Sequence, residues 1–369
     1  MKKFLCTCGQ EIFFENNFCG ACGRSLGFNF KSLDLEVIES ETESEAKTVD
    51  GRIFKKCGNS IEYDACNWLI EKNENANYLC YACSFNRTIP NQSQSQGNKS
   101  INHFRWLKLE NAKKRLIYTL ARLGLAMTNG WLDHTSGVRF DFLENIDHGK
   151  TQNCNPVTTG YSDGVITINA LEADDVALVT ARSELNERQR TILGHFRHES
   201  GHYFWDKFFS QLSLGQYFDE IFGICEPDYR ESLDYYYKNG PPRNWHDGYI
   251  SAYATAHPSE DWAETWSHYL LIHECLDSAQ TLGMIEQLPQ GLNMGEALKV
   301  WRPLAVMLNQ MNRSIGLQDA YPFVITRRIE QKLQYVDSLV KALKLKNQRG
   351  DKEASETSLS LNERSSTPT

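Results

Sequence analysis

The chain has 369 residues, 41% hydrophobic and 23% charged, with a net charge of −8. This permits two or three globular domains with a full core, and the acidic balance argues against the broad basic field that general nucleic-acid binding needs. No stretch approaches the roughly 18 apolar residues of a membrane span, and Met1-Lys2-Lys3-Phe4-Leu5 has no apolar segment behind its lysines, so the expectation is a cytoplasmic protein without a membrane partner.

In a reducing compartment disulfides are disfavoured. Eight of the 11 cysteines precede residue 84, so this cluster reads first as metal ligation. Residues 1–90 form the expected zinc-ribbon region, with one cysteine group in 1–30 and another in 50–90. The first group, Cys6-x-Cys8 and Cys19-x2-Cys22, has two short pairs, each followed by a glycine (Gly9, Gly23) that lets the chain turn back. The second, Cys57, Cys66 and Cys80-x2-Cys83, has one tight pair and is looser. Buried unligated thiols are a poor account of the first group and a tolerable one for Cys57 and Cys66. Four-thiolate sites are closed, so the expectation is one or two structural zinc ions and no catalysis there. What the ribbons bind is not written in the sequence. Glu36–Glu45 (EVIESETESE) is an acidic interruption between the groups.

A polar linker (91–100, after Pro90) follows. Residues 101–345 then read as helices around a small sheet, so the fold class is α+β. Helices are expected over Trp106–Leu125, Glu187–Gln211, Leu214–Phe222, Pro227–Lys238, Pro258–His273 and Thr326–Leu345. Strands are expected over Val138–Leu143 and Gly164–Asn169, and the polar tail 346–369 is expected to be disordered. Cys154, Cys225 and Cys275 stand alone and read as core rather than nucleophiles.

Within the second long helix, His198-Glu199-Ser200-Gly201-His202 is an HExxH motif. Residues four apart lie about 40° apart around a helix, so both histidines can reach one ion. Glu199 sits beside them as a general base for water. Gly201 weakens the helix, which suggests close approach of another segment. His195 shares the ligand face and reads as a supporting or substrate-contact residue; Asp206 could orient His202.

A catalytic zinc takes three protein ligands and keeps one open position. Pro258 marks a helix start, and Glu260 and Glu264 then lie one turn apart on one face. Glu260 is the expected third ligand with Glu264 holding a ligand histidine. The reverse assignment stays open, and His257, His268 and His273 are rival ligands. Asp261 reads as a partner for the helix N-terminus.

HExxH followed by a helix bearing a glutamate ligand resembles the gluzincin arrangement. Tyr253-x6-Glu260-x3-Glu264 is similar to the lethal-factor-like branch, which implies that Glu260 binds zinc and Tyr253 stabilises the transition state. The stretches FCGACGRSLGF, LCYACSFNRTIP, GVITINALEADD, LGHFRHESGHYFWD and AYATAHPSEDWAETWSHYL carry a fuller resemblance, from Lys3 to about Cys275. They resemble the bacterial zinc-binding metallopeptidases with N-terminal zinc ribbons. The resemblance implies a zinc-dependent hydrolase acting on a peptide or protein substrate, and the strand Gly164–Asn169 is an expected edge for an extended peptide. A zinc hydrolase of a non-peptide bond and a ribbon-based binding module on a silent scaffold are the alternatives.

Overall fold

A computed structural model describes residues 1–72, 78–93, 101–144, 157–174, 191–211, 215–225, 228–289 and 291–364, the backbone alone at 210–211, 215–216 and 347–364. The fold is α+β. Strands β1 (Phe4–Leu5) and β2 (Glu11–Ile12) form a small antiparallel hairpin. Strands β3 (Leu26–Asn29), β4 (Asp34–Glu41), β5 (Glu45–Thr48), β6 (Ile53–Lys56) and β7 (Leu69–Glu71) form a five-stranded antiparallel meander. The acidic interruption is therefore sheet: Leu35 and Val37 alternate inward while Glu36 pairs with Arg52 at 2.6 Å. Its period of two, rather than its charge, is the structural signal. Helix α1 (Gly58–Tyr63) follows β6.

The ribbon region does not end as a separate module. Strand β8 (Asn86–Thr88), just after Cys83, pairs parallel with β9 (Arg139–Leu143), which pairs parallel with β11 (Val165–Asn169), and β10 (Gly160–Ser162) completes the order β10-β11-β9-β8. Phe4, Phe14, Phe28 and Trp68 pack with Tyr118 of helix α2 (Ile101–Arg122), with Phe14–Phe28 centroids 4.9 Å apart and Phe14–Tyr118 5.3 Å. Both regions thus share one core. Positions 94–100 of the expected linker lie outside the described residues.

Strand β11 is not an edge. It is covered on one side by β9 and on the other by β10, through a two-residue turn with Asp163 at φ 49° and Gly164 at φ 72°. Two consecutive left-handed residues suit the twist of a tight hairpin, and Asp-Gly is its usual chemistry. The edge beside the site is therefore β10, a strand that the turn dipeptide could have revealed.

The remaining helices are α3 (Ile192–Gln211), α4 (Gly215–Phe222), α5 (Tyr229–Asn239), α6 (Pro258–Thr281), α7 (Met294–Ser314) and α8 (Arg327–Arg364). The expected start of α3 at 187–190 lies outside the described residues. Helix α6 outruns its expected end, and α7, which carries Pro303 inside it, was not among the expected helices. Asn293 nonetheless caps α7 by accepting from the Glu296 N–H at 3.0 Å, and Leu298, Trp301 and Leu304 are buried. The backbone of α8 continues to Arg364, into the tail read as disordered.

Helices α3 and α6 cross at close range. A Cβ on Gly201 would lie 3.0 Å from Ala263 Cα and 3.1 Å from Trp266 Cδ1. Trp262 Nε1 donates to the Gly201 carbonyl at 2.8 Å and Trp266 Nε1 to Ser200 Oγ at 3.0 Å. A buried ionic group reinforces the contact: Arg197 and Arg115 both reach Glu274 at 2.6 Å, and Thr119 donates to it at 2.9 Å.

Gly201→Ala is expected to cost about 1–3 kcal/mol through overpacking, read as a lowered melting temperature. A second expectation concerns acid. Burial holds His268 and His273 down to about 4. Their folded values lie below the ordinary 6.5, so the stability they contribute is complete above pH 6.5 and lost as pH falls through 4. The denaturation midpoint should fall across that window, and His273→Leu should flatten the profile.

Candidate active site and metal centres

The two cysteine groups each converge. Cys6 and Cys22 sulfurs are 3.6 Å apart and those of Cys8 and Cys19 3.7 Å, with all four within 4.8 Å of one another. Gly9 and Gly23 adopt φ of 88° and 73°, which lets the backbone return past each pair. The second group is wholly buried: Cys66 lies 3.6 Å from Cys80 and 3.7 Å from Cys83, and Cys57 joins them within 4.8 Å. Backbone N–H groups of Trp68 and Cys80 point at the sulfurs of Cys66 and Cys57, each at 3.4 Å.

Helix α2 supplies the balancing charge. Burial opposes a charge on Lys114, but the Cys66 and Cys83 thiolates and Glu110 outweigh it and hold the ammonium above the ordinary lysine range. Next to it Lys113 and Glu110 form a fully buried pair at 2.8 Å, and Asn86 donates to Glu110 at 3.0 Å. Four soft thiolates in a closed setting fit zinc in both places. The looser spacing of Cys57 and Cys66 is made up by the fold, because α2, not a local turn, completes the environment of the expected second site.

The third group sits where α3 meets α6. His198, His202 and Glu260 offer donor atoms within 4.8 Å of one another. His198 Nε2 is 3.0 Å from Glu260 Oε2, and His202 Nε2 is 3.4 Å from Glu260 Oε1. Glu264, one turn on, takes His198 Nδ1 at 2.7 Å. His257 caps α6, accepting from the Ser259 N–H at 3.2 Å, and Pro258 opens the first turn, so the carboxylate one turn in faces the histidines. Glu260 is 1% exposed. Two imidazole nitrogens and one buried carboxylate oxygen fit a catalytic zinc with an open position. Glu199 is buried beside them, and burial raises its carboxyl above the ordinary value, the direction that suits a base working near neutrality.

Tyr253, on a short 3-10 turn ahead of α6, lies with its ring 5.9 Å from that of His198. Burial pushes its hydroxyl far above the ordinary tyrosine value, so it stays a proton donor. No hydrogen bond joins that hydroxyl to another described residue. Asp206 does not hold His202: it accepts from Tyr161 of β10 at 2.8 Å, and the Tyr161 ring stacks on His202 at 6.5 Å. His195 faces Glu172 at 3.5 Å and Asp174 pairs with Arg105 at 2.6 Å, so the acidic run after β11 serves the chain's own groups; Asp175 lies outside the described residues. His268 Nδ1 meets the Tyr321 hydroxyl at 2.9 Å, and His273 packs on Tyr269, so neither joins the donor group, and nor does His257. Asp261 turns to Lys332 at 2.5 Å, an ion pair buried between α6 and α8. Of the lone cysteines, Cys225 is exposed and Cys275 half-buried, and Cys154 lies outside the described residues.

Two tyrosines at the site carried no spacing signal. Tyr161 comes from the hairpin, and Tyr229 of α5 donates to Glu260 Oε1 at 2.7 Å. The Tyr235–Tyr237 run is helical in α5, where Tyr236 meets Tyr253 edge-on at 5.7 Å.

Residues 102–339 match the family model described as "Putative zinc-binding metallo-peptidase", and residues 3–94 match a zinc-ribbon domain. Proteins of Mycobacterium tuberculosis and Mycobacterium bovis, each described as an uncharacterized protein, are 35% identical over 352 residues, covering 92% of this chain and 95% of theirs. No solved structure matches significantly. No described helix is long and apolar enough to cross a membrane.

With three donor groups in place, metal analysis of the purified chain is expected to give three zinc ions. Glu260→Ala should reduce this by one, leaving both ribbon sites filled, measured by mass spectrometry of the bound metal.

Proposed function

The chain belongs to this zinc-binding metallo-peptidase family, and from that membership we propose that it is a zinc-dependent peptidase with Glu199 as general base. The observation that carries the reading is the convergence of His198, His202 and Glu260, from two helices, beside a buried glutamate. A zinc ion bound there supplies Lewis acidity toward water and toward a scissile carbonyl.

The chain's own groups do the rest. Glu199 takes the proton of the attacking water and hands it to the leaving amine nitrogen. Tyr253 donates its hydroxyl to the developing oxyanion. Glu264, bonded to His198 Nδ1, fixes the ring so that Nε2 faces Glu260. An extended peptide can add to the outer edge of β10, whose Tyr161 stacks on His202. This replaces β11 as the docking edge, since β10 already covers it. Beside Tyr253 a cavity of about 330 Å3, lined by Asp228, Glu231, Tyr235, Tyr236, Thr255 and Ala256 among others, offers room for a substrate side chain.

The test is a proteome-derived peptide library, with new termini read by mass spectrometry. Glu199→Gln should retain the third zinc and lose about 10²–10⁴-fold in kcat, and Tyr253→Phe about 10²–10³-fold in kcat with little change in KM. A zinc-loaded wild type that cuts no peptide but hydrolyses acylated small molecules would transfer the reading to a non-peptide bond.

A further inference from the structure

Helix α5 lies beside the site without burying a single residue. Its tyrosines touch the start of the helix that carries Glu260 and the turn that precedes it. Tyr229, its first residue, is 45% exposed, yet its hydroxyl reaches in to Glu260 Oε1 at 2.7 Å, and its ring meets His257 edge-on at 5.3 Å. Both partners belong to the start of α6: His257 caps the helix and Glu260 lies in its first turn. Two turns further along α5, Tyr236 rests against Tyr253.

Glu260 can rotate about its side-chain bonds, so the direction of its carboxylate depends on what its two oxygens touch. Oε2 meets His198, and Oε1 meets both His202 and Tyr229. The tyrosine is the one neutral, permanent donor of the three, because an imidazole nitrogen that ligates a cation cannot also donate to the carboxylate. We propose that Tyr229 is a positioning residue of the metal centre: its hydroxyl fixes Glu260 as a ligand and fastens α5 against the cleft. The proposal rests on the zinc reading of the His198–His202–Glu260 group. It does not depend on which bond the enzyme cleaves.

Removing only the hydroxyl separates this role from packing, since phenylalanine keeps the ring against His257. The experiment is competition of the full-length protein with a chromophoric chelator, together with the visible spectrum of cobalt loaded at the third site. Tyr229→Phe should bind the third zinc about 10–100-fold more weakly, with a shifted cobalt band and unchanged ribbon sites. Tyr217→Phe, which loses the hydroxyl of a tyrosine 70% exposed on α4, should match the wild type. Equal third-site affinity and an identical cobalt spectrum in Tyr229→Phe would overturn the proposal. So would a loss spread over the ribbon sites as well, because the hydroxyl would then act on the fold. A wild type that binds no third metal would overturn both this proposal and the zinc hydrolase reading. A wild type that binds it but cleaves no peptide would remove only the peptidase assignment.

Discussion

Everything at the site depends on how closely α3 and α6 approach. The gap at Gly201 is tight even for a methyl group, which would press on the Ala263 backbone and the Trp266 ring. At that range Trp262 and Trp266 can reach back to bond Gly201 and Ser200. Glu260, one turn before Glu264 on the same helix, then falls between the rings of His198 and His202, and Glu264 falls behind His198. A wider crossing would leave the carboxylates short of the imidazoles, whatever their spacing in the chain. The buried Arg197–Glu274–Arg115 group on the far side holds the two helices and α2 in register.

Helix α2 performs the corresponding task for the ribbon region. One stripe carries Glu110 and Lys114 to the second thiolate group and, one turn beyond Lys114, Tyr118 into the aromatic cluster of Phe4, Phe14, Phe28 and Trp68. Further along, Arg115 and Thr119 meet Glu274 of α6. Because β8 leaves the second cysteine group as a strand of the sheet against α3, the ribbon and the helical region fold as parts of one structure. A closed thiolate site buried this way contributes to folding.

Departures from the sequence-based expectations share a cause. Strand β10, the meander through the acidic segment, the full length of α6 and the presence of α7 were obscured where charge, proline or a short turn drew more attention than periodicity did. Asp163-Gly164 and the Leu35–Glu36–Val37 alternation were legible signals that go unnoticed unless each short segment is tested for both periods. Asp206 was read as a neighbour of a ligand histidine, and Glu172 and Asp174 follow the strand that was read as a substrate edge. The fold gives them Tyr161, His195 and Arg105 instead, partners that are remote in the chain.

The sequence by itself determined what is local. The HExxH spacing fixes two imidazoles on one helical face, the paired cysteines with their glycines fix the first ribbon, and Pro258 fixes where α6 begins. These follow from helix pitch, turn sterics and ring-locked φ, which act over a few residues. Only the tertiary structure decided which far partners complete each site: which of Glu260 and Glu264 lies between the histidines and which behind, how Cys57 and Cys66 join Cys80 and Cys83, and how Tyr229 and Tyr161 reach the metal-binding group. Those choices depend on the crossing of packed helices and the closing of a sheet across tens of residues. No residue spacing encodes such distances, because they are set by the side chains that fill the space between.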